Sequence, residues 1–339
     1  MSKILIMGGA GFIGFNIAKH LQKNADNNIL IADNLSRGKM DSSFSEFLLN
    51  DNVDFVEGDF TQKSSFKKLE SDYDYVYMLA AVVGVNNTLK KPSEIIRINT
   101  LLTINTLEWI KESNIKKVIF TSTSENYAGT IDKFNYVVPT PEDVPLSILD
   151  ISHPRYTYAV TKILGESGFL NYAKSFDFKC TIIRYHNVIG PRMGFKHVIP
   201  HLAERFLVNK ESPFLMYGHN QTRSFCFIDD AVRGTILAAE SDNTNGEIYH
   251  IGSSEEISIE ELIKHSGSFL GYEGPYEAAP TFPGSTERRC PDISKAERHF
   301  GYSVQNSWQD SLTKTLEWYK DFFERGNEAF ESSFEKPNV

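Results

Sequence analysis

Short apolar runs of strand length alternate with helix-periodic stretches through the first half of the chain. Lys3-Ile4-Leu5-Ile6-Met7 is the first run. The apolar period then changes, with Ile13, Ile17 and Leu21 recurring at helical spacing. Ile29-Leu30-Ile31-Ala32, Val53 to Glu57, Tyr75 to Leu79, Lys117 to Phe120 and Cys180 to Arg184 read as five further strands. A polar, lysine-rich amphipathic run begins at Thr61 and Ser64. A long helix opens at Pro92, a favoured first helical position for proline, and another runs from Tyr156 to about Phe176. Strands alternating with helices predict an α/β chain with a doubly wound parallel sheet, and such sheets bind ligands at the carboxyl ends of their strands.

After Gly190-Pro191-Arg192 the pattern loosens. A helix near residues 197–210, a strand over Phe214 to Tyr217 and the segment QTRSFCFIDD follow. Asp229-Asp230 is expected to cap a helix to Ala239, and Ile248 to Ile251 to return to the sheet as a strand. Ile257 to Leu270 reads as helix, 271–285 as a glycine- and proline-rich loop, and two more helical stretches reach Phe323. The expected organisation is a Rossmann-type sheet over 1–190 with strand returns near 224–251. A smaller C-terminal, mainly substrate-binding lobe spans 191–325, and a polar tail 326–339. The run from Asn126 to Arg155 holds four prolines and little periodicity. It reads as a long loop, and loops of that length in compact domains are often functional.

Composition narrows the partners. The 339 residues carry a net charge of −9 with no basic stripe, which argues against nucleic acid. The three cysteines are widely spaced and odd in number, so neither a disulfide framework nor a metal-ligand pattern is expected. No histidine pair has metal spacing either. No apolar run approaches membrane-spanning length and no charged-then-apolar leader precedes the first strand, so a cytoplasmic location and no membrane partner are expected.

Candidate chemistry begins with GGAGFIG between the first strand and the first helix. Gly8 and Gly9 permit a turn too tight for side chains, Gly11 allows a pyrophosphate to approach, and Gly14 allows close helix–strand packing. Phe12 and Ile13 open a helix whose positive end attracts phosphate. Asp33 ends the second strand, where a carboxylate can accept hydrogen bonds from ribose hydroxyls and repel a 2′-phosphate. NAD is therefore expected, with Asn34, Ser36 and Arg37 beside it. Arg37 and Lys39 leave NADP open as the alternative. Asp59, followed by Phe60, either meets the adenine amino group or caps the next helix. Ala80 and Ala81, small residues after the fourth strand, allow close approach of the cofactor.

Tyr158 and Lys162 are four apart at the start of a helix and so share a face. An ammonium beside a phenol favours phenolate, which makes a general base near neutral pH. The strand end Thr121-Ser122-Thr123-Ser124-Glu125 lies upstream. With GGAGFIG, DNLSRGK, TSTSENY, YAVTK, RYHNVIGPR, QTRSFCFIDD and RRCPDISKA, residues 1 to about 322 resemble the extended short-chain dehydrogenase/reductase family. Its members are nucleotide-sugar epimerases, dehydratases and decarboxylases. The resemblance implies that Thr123 hydrogen-bonds the sugar 4-hydroxyl, that Tyr158 takes its proton while hydride leaves C4, and that Lys162 holds the nicotinamide ribose. It places Asn99, Ser122 and Tyr185 on the cofactor side. It makes Asn187 a contact of the substrate diphosphate. Arg223 and Arg289 become its phosphate grips, a task suited to guanidinium, with Arg192 as a helper. It also implies a homodimer.

The reaction after the 4-keto sugar is left open by the residues. In 4,6-dehydratases the resemblance implies Thr-Asp-Glu, with Asp as the acid that expels the 6-hydroxyl. Here the run is Thr123-Ser124-Glu125, and serine is a poor acid. A decarboxylase needs no acid there, because a β-keto acid loses CO2 once its carboxylate is desolvated. TSTSE, GPRM, QTRSFCFIDD and RRCPDISKA resemble UDP-glucuronate decarboxylases, whereas YAVTK looks more like epimerases. UDP-sugar 4-epimerase and UDP-glucuronate-type decarboxylase lead. A 4,6-dehydratase, a 4-ketoreductase and a non-catalytic NAD-binding sensor are the alternatives. His153 and His186 read either as site histidines or as packed polar residues.

Overall fold

The computed structural model describes residues 2–195, 197–281 and 285–326. The chain opens with β1 (Ser2–Met7), α1 (Phe12–Gln22), β2 (Asn27–Asp33), α2 (Ser42–Phe47), β3 (Val53–Glu57) and β4 (Tyr75–Met78). Next come α3 (Val85–Lys90), α4 (Pro92–Lys111), β5 (Lys117–Thr123), α5 (Ala128–Phe134), α6 (Thr157–Phe176) and β6 (Lys179–Tyr185). The second half holds β7 (Val188–Ile189), α7 (Val198–Leu207), β8 (Phe214–Tyr217), β9 (Thr222–Ser224), β10 (Cys226–Phe227), α8 (Ile228–Glu240) and β11 (Glu247–Ile251). β12 (Glu256–Ser258), α9 (Ile259–Phe269), β13 (Tyr276–Ala279), β14 (Arg288–Arg289), α10 (Ser294–Phe300) and α11 (Trp308–Glu324) complete it.

Seven strands form one parallel sheet in the order β11-β6-β5-β4-β1-β2-β3. This is a Rossmann-type doubly wound sheet. The order reverses at β1, which pairs β2 on one side and β4 on the other, so a crevice opens at the carboxyl ends there. Alternate residues of β1 serve opposite faces, as strand periodicity requires. Ile4 and Ile6 pack with Phe15 and Ile17 of α1 and with Val232 and Ile236 of α8. Leu5 and Met7 join Leu102 and Leu107 of α4 and Phe169 of α6 on the other face. Each such fully buried aliphatic side chain contributes about 1.5–3 kcal/mol. Helices on both faces leave the strand ends as the open edge.

The second half builds a third apolar cluster from α7, α9 and α11, including Ile199, Leu202, Leu262, Leu312 and Leu316. A small sheet in the order β12-β9-β14 sits with it and sets Arg289 beside Arg223 in register. β11 returns to the main sheet beside β6, as the sequence predicts.

Four details differ from expectation. The stretch 271–285, expected as loop, contains β13, which pairs in parallel with β8. Asp229 and Asp230 lie in the first turn of α8 rather than capping it, and Phe227 is the N-cap. The lysine-rich run after Asp59 is a single 3-10 segment, Lys63–Lys68, in which Phe66 is buried and the lysines are exposed. The stretch 126–155 is not all loop. It contains α5, which ends at Asn135 in the left-handed conformation (φ 49°), and Tyr127, Ile131 and Val144 form a small core of their own. The tail assigned to 326–339 lies, from 327 on, outside the described residues.

Candidate active site

The glycine turn forms at the carboxyl end of β1. Gly8 has φ +82°, and a Cβ there would stand 2.7 Å from the backbone nitrogen of Ala80. At Gly14 a Cβ would stand 2.5 Å from the Gly8 carbonyl oxygen, so only glycine lets α1 approach the turn. Gly11 is different: its Cβ would meet only the Gly8 oxygen, at 3.2 Å, and the space beyond is open. Gly11 is also the N-cap of α1, and no side chain caps the helix. That leaves Phe12, Ile13 and Gly14 as the positive end of a helix facing an open groove. Asp33 is fixed beside it, accepting from the Ala10 amide at 3.0 Å and the Leu35 amide at 2.9 Å. Burial raises its carboxyl above the ordinary value, against the lowering effect of those amides. A bare helix end, an open glycine and an adjacent carboxylate together fit a dinucleotide.

The edge expected to take the adenosine continues around β2 and β3. Asn34, Glu57, Gly58, Asp59 and Lys68 line a cleft of about 580 Å³. Asn34 accepts from the Ser36 amide at 3.1 Å. Asp59 accepts from the amide and hydroxyl of Thr61 at 3.0 and 2.8 Å, which forms a local turn rather than the expected helix cap, since Gln62 is the N-cap of the following 3-10 segment. Phe60 is buried edge-on against Phe66, with its ring in the core rather than in the cleft. Arg37 meets His197 at 2.9 Å. Ala80 lies against Gly8, with Ala81 next to it. Asn99 bonds both backbone groups of Val82, at 2.8 and 3.0 Å, and so fixes the chain after β4.

At the carboxyl end of β5, Thr123 caps a one-turn 3-10 helix by accepting from the Glu125 amide at 3.2 Å. Tyr158 and Lys162 share one face of α6, with the Lys162 nitrogen 5.9 Å from the Tyr158 ring centre. Lys162 is buried and donates to the Thr121 carbonyl at 2.7 Å. Burial pulls its ammonium down to about 7, opposed by Glu166. Burial also pushes the Tyr158 phenol above its ordinary value, against a lowering by Arg37. The expected lowering of the phenol by Lys162 is therefore not what the protein alone produces. Desolvation outweighs a neighbour that is itself only partly charged near pH 7.

Glu125 faces the second half of the chain. Its carboxylate is ion-paired to Arg289, whose Nη2 also donates to Thr286 at 2.9 Å. Burial pulls the Glu125 carboxyl up, but the charges of Arg289, Arg155 and Arg223 outweigh it and hold the group below the ordinary value. Arg223 donates to the backbone oxygens of Thr222 at 2.7 Å and Thr286 at 2.7 Å. Burial, aided by the Arg289 charge and opposed by Glu125, lowers it to about 10. Asn187 donates to the Ser224 oxygen at 2.8 Å and has φ +34°.

Several expected residues are engaged elsewhere. Arg192 is not beside Arg223. It donates to Asp41 at 2.7 Å and to the Ala10 oxygen at 3.4 Å, and it stacks on Phe15 at 4.3 Å, which puts it over the glycine turn. The Ser122 hydroxyl donates to Glu166 at 2.6 Å, and the Tyr185 hydroxyl meets Thr235 at 2.6 Å. His186 is buried against Tyr127 at 2.7 Å, and burial holds it well below its ordinary value. Its ring is a packed polar group. Glu166, Asn126 and Asp41 join the site without having been expected from the sequence. Glu166 alone carried a signal, standing one turn beyond Lys162 on the same helical face.

The description "NAD dependent epimerase/dehydratase family" matches residues 4–252. A UDP-N-acetyl-alpha-D-glucosaminuronate decarboxylase of Bacillus cytotoxicus is 35% identical over 332 residues, covering 94% of this chain and 98% of that protein. A UDP-glucuronate 4-epimerase of Thermodesulfobacterium geofontis is 29% identical, covering 96% and 98%. Among solved structures, a UDP-glucuronic acid 4-epimerase mutant of Bacillus cereus, in complex with UDP-4-deoxy-4-fluoro-glucuronic acid and NAD, superposes with a TM-score of 0.83. It is 29% identical and covers 94% of this chain and 99% of its own. With its glycine turn, its parallel sheet and a match over most of its length, the chain belongs to the NAD dependent epimerase/dehydratase family.

Proposed function

We propose that the chain is an NAD-dependent decarboxylase of a UDP-linked hexuronic acid, acting through a 4-keto sugar. The observation that carries this reading is the Glu125–Arg289 ion pair beside Ser124. A sugar carboxylate needs cationic partners, and Arg155, Arg223 and Arg289 all act on Glu125. Expulsion of a 6-hydroxyl needs an acid next to Thr123, and the residue there is Ser124. The 35% identical decarboxylase supports the same choice and favours a UDP-linked uronic acid with a 2-acetamido group.

Gly11, Phe12, Ile13 and Gly14 would hold the NAD pyrophosphate and Asp33 its ribose. NAD, when bound, supplies the oxidant that removes hydride from C4 and the reductant that returns it. The protein's own groups do the rest. Tyr158 takes the 4-hydroxyl proton and later gives it back, while Thr123 hydrogen-bonds the same oxygen. Loss of CO2 from the 4-keto acid leaves the C–C bonding pair in an enolate. One proton from solvent must reach C5 to complete the exchange. Glu125, ionised at rest beside Arg289, is the group placed to pick up that proton and pass it on. Arg223 and Arg289 grip anionic groups of the substrate.

A 4-epimerase is the second reading, favoured by the UDP-glucuronate 4-epimerases among the relatives. The test is incubation with a panel of UDP-, GDP-, CDP- and dTDP-sugars that includes uronic acids, with products read by mass. Loss of the mass of CO2 is expected. An unchanged mass with inverted C4 by NMR would replace the reading with epimerase, and loss of the mass of water with dehydratase. Saturable NAD binding with no turnover of any sugar would leave a sensor.

A further inference from the structure

Glu166 belongs to no motif, yet it is the most heavily bonded carboxylate near the site. It stands one turn beyond Lys162 on α6 and is 3% exposed. One of its oxygens accepts from Ser122 at 2.6 Å, from Asn126 at 2.8 Å and from Arg184 Nε at 2.8 Å. The other accepts from Arg184 Nη2 at 2.7 Å. Asn126 also donates to the Ser122 hydroxyl at 3.0 Å, which closes a ring. Arg184 of β6 is 2% exposed and balances the charge that burial would otherwise make prohibitive.

The two side chains that this carboxylate holds have a particular place. Ser122 immediately precedes Thr123-Ser124-Glu125, and Asn126 immediately follows it. The tripeptide crosses from the end of β5 into a one-turn 3-10 helix, a weak element by itself. Arg289 draws Glu125 towards the second half of the chain. The opposing anchor is on α6, the helix that carries Tyr158 and Lys162. We propose that Glu166 is a positioning residue: through Ser122 and Asn126 it clamps both ends of Thr123-Ser124-Glu125 and fixes their reach to Tyr158. The inference rests on the reading of Thr123, Glu125 and Tyr158 as the groups that act on the sugar. A single rigid carboxylate then registers the proton-transfer groups on β5 against the one on α6. Displacements of about 1 Å in such sets cost up to roughly 100-fold in rate.

Three variants test it in the enzyme as purified with NAD. Asn126→Leu removes the donors at nearly constant volume and leaves the Glu166–Arg184 pair intact. Ser122→Ala deletes one hydroxyl and no charge. Glu166→Gln removes the charge and leaves Arg184 unpaired, so it is the variant most at risk of misfolding; the first two keep the question answerable. The readouts are melting temperature, KM, kcat, and the ratio of released 4-keto sugar to finished product. For Asn126→Leu and Ser122→Ala we expect kcat to fall roughly 10- to 100-fold. KM should stay within threefold, and released 4-keto sugar and reduced cofactor should accumulate. A displaced Glu125 fails at the second half of the cycle, whereas a merely destabilised protein loses all steps in proportion. Unchanged kcat and product ratio in well-folded variants overturn the proposal. So does a rise in KM at constant kcat, or an activity loss that follows the folded fraction. The wild-type product identifies the reaction independently. If it is an epimer, the same ratio is read against that epimer, so failure of the decarboxylase reading stays separate.

Discussion

Tyr158 is the proton acceptor on which the proposed chemistry turns. Its place four residues before Lys162 is plain in the sequence, and the structure puts both on one face of α6. Tyr158→Phe keeps the ring and removes the proton acceptor. Turnover is expected to fall roughly 100- to 10,000-fold, with bound NAD unchanged on extraction and chromatography. Full turnover in this variant would remove Tyr158 from the chemistry. What the sequence did not convey is the electrostatic balance, because desolvation depends on packing from distant segments. Glu125 shows the opposite balance, held below its ordinary value by Arg289, with Arg155 and Arg223 assisting. A carboxyl lowered by folding stabilises the folded state above its unfolded value, and loses that contribution as pH falls through the folded value. In Arg289→Gln burial acts with less opposition. The inflection of kcat/KM against pH that reports Glu125 should then move up by about 1–3 units. An inflection that stays in place would show that Arg289 does not set the ionisation of Glu125.

Elements were legible wherever a strong period met a clear boundary. The six strands of the first half, the Pro92 start of α4 and the returning strand β11 all follow the pattern of the chain. α5 was not legible, because seven residues are too few to show a period and its stop signal is an asparagine rather than a glycine. On α4 the sequence suggests two apolar faces, one for the sheet and one for a second copy of the chain. Ile95, Leu102, Leu107 and Ile110 are buried on the sheet side. The outward apolar residues are Ile96, at 47% exposure, and Ile104, at 39%, with Val160 and Leu164 exposed on the neighbouring α6. A two-fold pairing of α4 and α6 would cover all four and would press on the helix that carries Tyr158. A dimer by light scattering is expected. Leu164→Asp or Ile104→Asp should convert it to monomer without loss of secondary structure. A wild-type chain that is monomeric at every concentration would end this reading.

Across the whole molecule, the segments that close over the glycine turn come from far apart in sequence, which is why no local motif announces them. Arg192, on the loop after β7, reaches back to Asp41 at 2.7 Å and to the oxygens of Ala10 and Lys39, both at 3.4 Å. Its backbone is left-handed at φ +67°, an arrangement that costs energy in a residue other than glycine and is usual at ligand clamps. Arg37 crosses in the other direction to His197 at the start of α7, and Gly194 packs beside its guanidinium. The two arginines thus tie the loop after β2 to Arg192 and His197, beside the glycine turn that would hold the pyrophosphate. An enzyme that returns its hydride to the same sugar must keep its cofactor between the two transfers, and this double tie supplies a physical means. NAD is therefore expected to remain after purification, and finding only NADP on the denatured protein would contradict the reading of Asp33. Asp41→Ala breaks one tie without touching Tyr158, Thr123 or Glu125. Dissociation of NAD, followed after dilution into a scavenging dehydrogenase, should quicken about tenfold, equivalent to about 1.4 kcal/mol. Lost turnover should return when NAD is added to the assay. Dissociation as slow as in the parent protein would mean that the tie holds the fold and not the cofactor.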